Sequence, residues 1–153
     1  MGENGKHHAT LVLERDYEAP PSRVFAEFAN SVVRAEWSAP SGDELIYDET
    51  AFKVGGRDVF RCGPKGAPKF QGETTYHLIV PGRCVISSEI VEADGQHLAV
   101  SLNTLELEET GGGTKLKLTI QIVSSVGEGM IRGFESGNRS ALEGLATHLA
   151  DLT

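Results

Sequence analysis

The feature that most limits how this chain can fold is the regular interruption of residues 45–124 by glycine. Gly55-Gly56, Gly63-Pro64-Lys65-Gly66, Pro81-Gly82, Asp94-Gly95 and Gly111-Gly112-Gly113 each supply the positive φ or fixed turn geometry that reverses a strand. The segments between them, 45–54, 57–62, 69–80, 83–91, 97–109 and 114–124, are short and rich in β-branched, aromatic or alternating residues. In the last, Leu116, Leu118, Ile120 and Ile122 alternate with Lys115, Lys117, Thr119 and Gln121, the pattern of a half-buried strand. Links this short make consecutive strands pair antiparallel, as a meander of six.

The flanks obey other periods. Thr10 to Glu18 alternates as a strand and ends at Ala19-Pro20-Pro21. Pro21 opens a helix, whose first residue needs no amide hydrogen, and Val24, Phe25 and Phe28 form its apolar face. A second short helical piece runs through Val32, Val33 and Trp37 and stops before Pro40. Residues 128–152 repeat at helical spacing through Met130, Ile131, Phe134, Ala141, Leu142, Leu145, Leu149 and Leu152. Gly129, Gly133, Gly137 and Gly144 weaken that helix by roughly 1 kcal/mol each, so close approach to the sheet, or a bend, is expected to offset the loss. A seven-stranded antiparallel sheet needs cover, and this is the only long element available.

With 153 residues the chain fits one domain, read as a flexible polar leader over 1–9 and a single domain over 10–153. Fourteen Lys and Arg against 22 Asp and Glu leave a net charge of −8, which argues against nucleic acid and against anionic lipid as partners. No apolar stretch approaches the roughly 20 residues that span a bilayer, so no membrane association is expected. MGENGKHHAT carries no apolar signal region, and Cys62 and Cys84 lie far apart without a CxxC motif. Two reduced thiols in a cytoplasmic protein is the expectation.

Element order and local residues together resemble the helix-grip fold of the START and birch-pollen-allergen superfamily. Within it, the chain is most similar to the heat-shock protein 90 ATPase-activator homologue-like family, the polyketide cyclase-like SRPBCC group. The resemblance rests on Ala19-Pro20-Pro21-Ser22-Arg23-Val24-Phe25 with Phe28, on Arg34-Ala35-Glu36-Trp37-Ser38-Ala39-Pro40, on Val54-Gly55-Gly56-Arg57 and on Tyr76-His77-Leu78-Ile79-Val80-Pro81. Gly113-Thr114-Lys115-Leu116 and a last helix from Gly133-Phe134 to Leu145-Ala146-Thr147-His148-Leu149 complete it. The chain departs from the family pattern in having Asn30-Ser31 where members often have Asp-Pro, and a single Trp37 where many have two. The resemblance implies an α+β fold with a curved seven-stranded antiparallel sheet, two short helices and one long C-terminal helix. It also implies a hydrophobic cavity between sheet and last helix. The family's name comes from a co-chaperone with a further N-terminal domain, so a chaperone partner is implied by analogy alone.

No motif identifies catalysis. His7 and His8 are neighbours in a polar leader, while His77, His97 and His148 lie on separate elements without ligands at metal spacing. Gly111-Gly112-Gly113 precedes a strand rather than a helix, which makes it a hairpin and not a phosphate loop. No cofactor and no metal is expected. His148 is read as covering the last helical turn.

Tyr76 and His77 point to opposite faces of one strand, and the apolar parity of Phe70, Tyr76, Leu78 and Val80 favours Tyr76 inward. Between 97 and 109 the apolar parity changes from Leu98, Val100 and Leu102 to Leu105 and Leu107. Either a bulge lies near Asn103-Thr104, which is the simpler reading, or polar groups there face inward. On the last helix Met130, Phe134 and Asn138 repeat at i, i+4 and i+8. A buried Asn138 amide would need a backbone group, water or ligand atom as partner. Trp37, closing the short second helix, fits a lid or ordinary core.

The leading expectation is therefore a binder of a small, largely hydrophobic molecule. Trp37, Phe60, Tyr76, Met130 and Phe134 would supply apolar surface, and Asn138 one orienting hydrogen bond. One alternative is a cyclase- or hydrolase-type enzyme using the same cavity, for which Tyr76, His77 and Glu89 are the nearby titratable candidates. Another is a chaperone-associated interaction module, which predicts an exposed apolar patch and a shrunken cavity. Homodimerisation stays open. An anionic ligand would need a local arginine, and Arg57, Arg61 and Arg83 are available on strands.

Overall fold

The computed structural model describes residues 5–151. Its elements are β1 (His7–Tyr17), α1 (Pro21–Ala29), α2 (Ser31–Ser38), β2 (Asp43–Glu49), β3 (Arg57–Pro64), β4 (Phe70–Val80), β5 (Cys84–Ala93), β6 (Gln96–Thr110), β7 (Gly113–Ser124) and α3 (Glu128–Asp151). The seven strands form one antiparallel sheet in the order β1-β7-β6-β5-β4-β3-β2. Strands β2 to β7 are the meander, and β1 adds to β7 at the far edge. This is the α+β helix-grip arrangement.

Leu13 of β1, Leu116 of β7 and Leu142 and Leu145 of α3 are fully buried together, and they fasten one end of the helix to the sheet. The Tyr17 hydroxyl donates to the Leu142 carbonyl at 2.9 Å across the same layer. A second apolar cluster joins Ala99, Ile120 and Ile122 to Met130, Ile131 and Phe134 near the start of α3.

Pro21 sits in the first turn of α1, whose own N-cap makes no side-chain bond. Asn30 then caps α2, its Oδ1 accepting from the amides of Val32 and Val33 at 3.0 and 3.2 Å. Asn30-Ser31 thus restarts the helix through a side-chain cap.

Four expectations need correction. The leader assigned to residues 1–9 overlaps β1, because His7, His8 and Ala9 pair with Ser124, Val123 and Ile122; residues 1–4 lie outside the described residues, as does Leu152. The strand drawn over 45–54 ends at Glu49, beyond a register shift after Tyr47, and the Gly55-Gly56 turn instead bonds to the backbone of Tyr76. There is no bulge at Asn103-Thr104: β6 pairs with β7 without a break from Ala99 to Thr110. Ser101 and Asn103 keep the inward parity, while Val100 and Leu102 face outward at 38% and 42% exposure. A register shift does occur between Tyr76 and Leu78, leaving His77 as the extra residue. It reverses the parity of β4, so Leu78 and Val80 face out and Ile79 joins the core.

Of the helix glycines, only Gly144 makes a close approach, and its neighbour is α2 rather than the sheet. A Cβ there would overlap the Trp37 carbonyl oxygen. At Gly133 and Gly137 a Cβ would meet nothing within 4 Å.

Candidate functional site

The sheet and the α2–α3 layer part to leave a cavity of about 440 Å³. Its sheet wall comes from inward-facing positions of five meander strands, β2 to β6, with Leu118 and Ile120 of β7; Phe134, Gly137, Asn138, Ala141 and Leu142 close it from α3. Gly72 shapes the floor. A Cβ there would run into the Phe60 ring, so the missing side chain lets that ring lie flat on β4. Phe52 and Tyr76 meet edge to face at 4.9 Å, as do Tyr47 and Phe60 at 6.2 Å.

Trp37, Phe60, Tyr76, Phe134 and Asn138 all line this space. Met130 does not: it lies two helical turns before Asn138 and packs against the cluster of Ala99, Ile120 and Ile122. The i, i+4, i+8 stripe drifts around the helix and slides along it, so its first member falls beyond the cavity. The Asn138 amide nitrogen donates to the Phe134 carbonyl at 2.8 Å, a backbone partner within its own helix. Trp37 is both wall and core, 5% exposed, with its ring edge-on to Phe28 at 5.0 Å.

One wall of the cavity is polar. Asp58 of β3 is 2% exposed. Its Oδ2 accepts from Arg34 Nη2 at 2.9 Å and from the Tyr76 hydroxyl, and its Oδ1 accepts from the Ala51 amide at 3.2 Å. Arg34 Nη1 bonds both the Tyr76 oxygen and the Phe28 carbonyl at 2.9 Å, and the guanidinium lies 4.9 Å from the Tyr47 ring centre. Burial pushes the Tyr76 phenol well above its ordinary value and the Tyr47 phenol up to about 12, with Arg34 opposing both. Both therefore stay protonated at neutral pH. Arg34 Nε and Trp37 Nε1 are buried donors without an acceptor among the described residues.

On the same sheet face, two strands from Asp58 and level with it through Thr74, stands Glu89 of β5, on the inward parity of Val85 and Ser87. Its side chain is half-buried because it borders the cavity, yet protein surrounds it. Burial raises its carboxyl from the ordinary range to about 7, with Thr74 on β4 pulling weakly the other way. Cys62 also lines the cavity as a free thiol, which burial pushes up to about 11.

Other candidates lie elsewhere. His77, in the β4 irregularity, is exposed and its Nε2 is 2.8 Å from Ser88 Oγ. His148 Nε2 lies 3.1 Å from the buried Glu27 carboxylate, which ties α3 to α1. Arg57 pairs with Glu49 and Glu73, and Arg61 with Asp48, all at exposed positions. The arginine at the cavity is Arg34. Asp58 and Arg34 were absent from the candidates read from sequence. The available signal was parity: Asp58 precedes Phe60 and Cys62 at alternate positions of one strand, which puts a carboxylate on the inward face. No three His, Cys, Asp or Glu side chains come together as a metal site among the described residues. None of the described helices is long and apolar enough to cross a membrane.

No functionally curated protein matches the chain. A solved structure of a Rhizobium loti protein is 32% identical, with 94% of this chain and 98% of that one covered at a TM-score of 0.83. A Rhizobium leguminosarum protein is 26% identical over 96% and 97% of the two chains, with a TM-score of 0.82. A Chromobacterium violaceum protein at 22% identity and a TM-score of 0.78, covering 90% and 94%, shares the fold. Residues 18–150 match the family described as Activator of Hsp90 ATPase homolog 1-like protein, and the chain belongs to that family.

Proposed function

We propose that this protein binds a small, largely apolar molecule in the cavity between the sheet and α3, and that it does so in the cytoplasm. The observation that carries this reading is the cavity itself, about 440 Å³ in a chain of 153 residues. A dry void of that size would cost on the order of 10 kcal/mol, an upper bound for a solvated space but comparable to the whole stability of a typical domain. Selection against so large a cost is strong unless the space is used. A cavity this size also favours a binder over an interaction module, which has no use for one. Trp37, Phe60, Tyr76 and Phe134 would contact the apolar body of the ligand.

Native mass spectrometry of the purified protein, before and after denaturation, tests the reading. A reproducible extra mass that leaves on unfolding supports it and identifies the ligand. Trp37 is the only tryptophan, so its fluorescence also reports titrated ligands directly. Phe134→Glu should abolish binding while the fold, followed by circular dichroism, persists. Unchanged affinity would remove α3 from the site.

A further inference from the structure

The sheet has two edges, and they are built differently. β2 is a guarded edge: it has seven residues, with acid at Asp43, Glu44, Asp48 and Glu49, and its register slips between Tyr47 and Glu49. Charge, shortness and irregularity are what keep an edge from pairing with another chain. β1 has none of these at its centre. It runs for 11 residues without proline or register shift, and Val12 at its midpoint is 50% exposed.

The turn between β6 and β7 tells which groups of β1 are open. Gly111 and Gly112 both have positive φ and form a two-residue turn closed by Thr110 and Gly113, so that pair is hydrogen-bonded. Alternation then aims the backbone of Lys117 and Thr119 at β6 and that of Leu116 and Leu118 at β1. On β1, Leu13 and Arg15 therefore bond to β7. His8, Thr10, Val12, Glu14 and Asp16 present their amides and carbonyls at the open edge. Arg15 Nη1 donates to the Glu14 carbonyl at 2.7 Å, in keeping with a carbonyl turned away from β7.

Charge selects the chain that fits there. Lys6, His7 and His8 make the start of β1 basic, whereas Glu14, Asp16 and Glu18 make its end acidic. Arg15 is the exception, and Glu143 of α3 holds it at 3.3 Å. An antiparallel copy of the same strand lays the basic end on the acidic end twice. β2 laid on its own copy sets Asp43 over Glu49 and Glu44 over Asp48, acid on acid. β1 on β2 of another copy leaves an edge open at each end and builds a filament, while β1 on β1 closes at two.

We propose that two copies of this chain associate edge to edge through β1, about a twofold axis at Val12 perpendicular to the sheet. That register uses the whole strand, His7 to Tyr17, and places Val12 on Val12, Thr10 on Glu14 and His8 on Asp16. Every open amide and carbonyl of the row gains a partner, and Arg15 gives up the Glu14 carbonyl.

Sedimentation velocity of the full chain from about 1 to 500 µM, a range that spans micromolar affinity, should show a monomer–dimer equilibrium. The Val12 amide makes no bond to β7, so Val12→Pro keeps the fold and removes the central pair. Val12→Lys sets two ammonium groups face to face at an exposed position. Each variant should weaken the dimer at least about 10-fold, with circular dichroism unchanged. With a short thiol-to-thiol linker, Val12→Cys should join to itself and Asp16→Cys should not, because Asp16 faces His8 of the second copy. Peptide mapping separates these links from any through Cys62 or Cys84.

A monomer at every concentration overturns the proposal, as does a dimer that the Val12 variants leave intact. If Val12→Pro fails to fold, Val12→Lys decides alone. Species that grow beyond a dimer put β2 in the contact and overturn it too. Linkage through Asp16→Cys and not through Val12→Cys overturns the register.

Discussion

Gly144 of α3 lies against the Trp37 carbonyl of α2, so closely that no Cβ fits between the two helices. The contact fixes how α2 leans on α3, and through Trp37 and Arg34 it sets the position of the polar wall. Helix glycines usually cost stability, and here they divide into two kinds. Gly144→Ala should lower stability by about 1–3 kcal/mol through overpacking, despite better helix propensity. Gly133→Ala, whose Cβ meets nothing, should raise it by up to about 1 kcal/mol. Thermal denaturation of both variants checks the contrast.

Asp58 and Arg34 form a buried pair whose members depend on each other. Asp58→Ala leaves the guanidinium uncompensated beneath the cavity and should cost about 3–5 kcal/mol. Replacing both together, Asp58→Leu with Arg34→Met, should cost far less than the single change. Tyr76→Phe removes one donor to Asp58 and should fall near 1 kcal/mol. Urea denaturation of the set measures these values.

Glu89 gives stability a pH dependence with a definite sign. Its carboxyl is raised to about 7 in the fold, against an ordinary value of 4.5. The folded state therefore holds the proton more tightly than the unfolded chain. The stabilisation is complete below about pH 4.5, declines as pH rises towards 7 and is absent above it, by an amount of up to about 3 kcal/mol. The wild-type stability minus that of Glu89→Gln should follow this slope when both are measured by denaturation from pH 4 to 8.

Cys62 should be a slow thiol. With its ionisation pushed up to about 11 by burial, it carries roughly 100-fold less thiolate at pH 8 than an ordinary cysteine. Iodoacetamide labelling followed by peptide mapping should leave it largely unmodified in the native protein and modify it fully in denaturant. A bound cavity ligand should slow its reaction further.

Most of the fold could be read from sequence because turns and periodicity are local. Gly55-Gly56, Pro81-Gly82 and the alternation through Ile122 needed no knowledge of distant residues. Parity failed where one residue changed register: the irregularity at His77 turned Leu78 and Val80 outward, and no local signal marks it. Between Val100 and Leu105 the apolar residues change faces without a bulge. Ser101 and Asn103 face inward, Asn103 as part of the cavity lining and Ser101 buried outside it. The apolar cavity residues were legible as inward positions. Of the polar ones, Asn138 and Glu89 were among the candidates, but the pairing of Arg34 with Asp58 was not legible, because the two are 24 residues apart and meet only in the folded chain.

The place of β1 also has a consequence in time. Its neighbour is β7, with Leu13 beside Leu118, while the strand next in the chain, β2, lies at the opposite edge. A ribosome adding roughly 5–20 residues per second needs on the order of 10 s to travel from one of these partners to the other. The hairpins of the meander can close as they emerge, but β1 must wait with its apolar side chains uncovered until the last strand arrives. Such distant pairing belongs with folding in milliseconds to seconds rather than microseconds. The meander thus precedes β1 in finding its partner, although β1 is the first strand made.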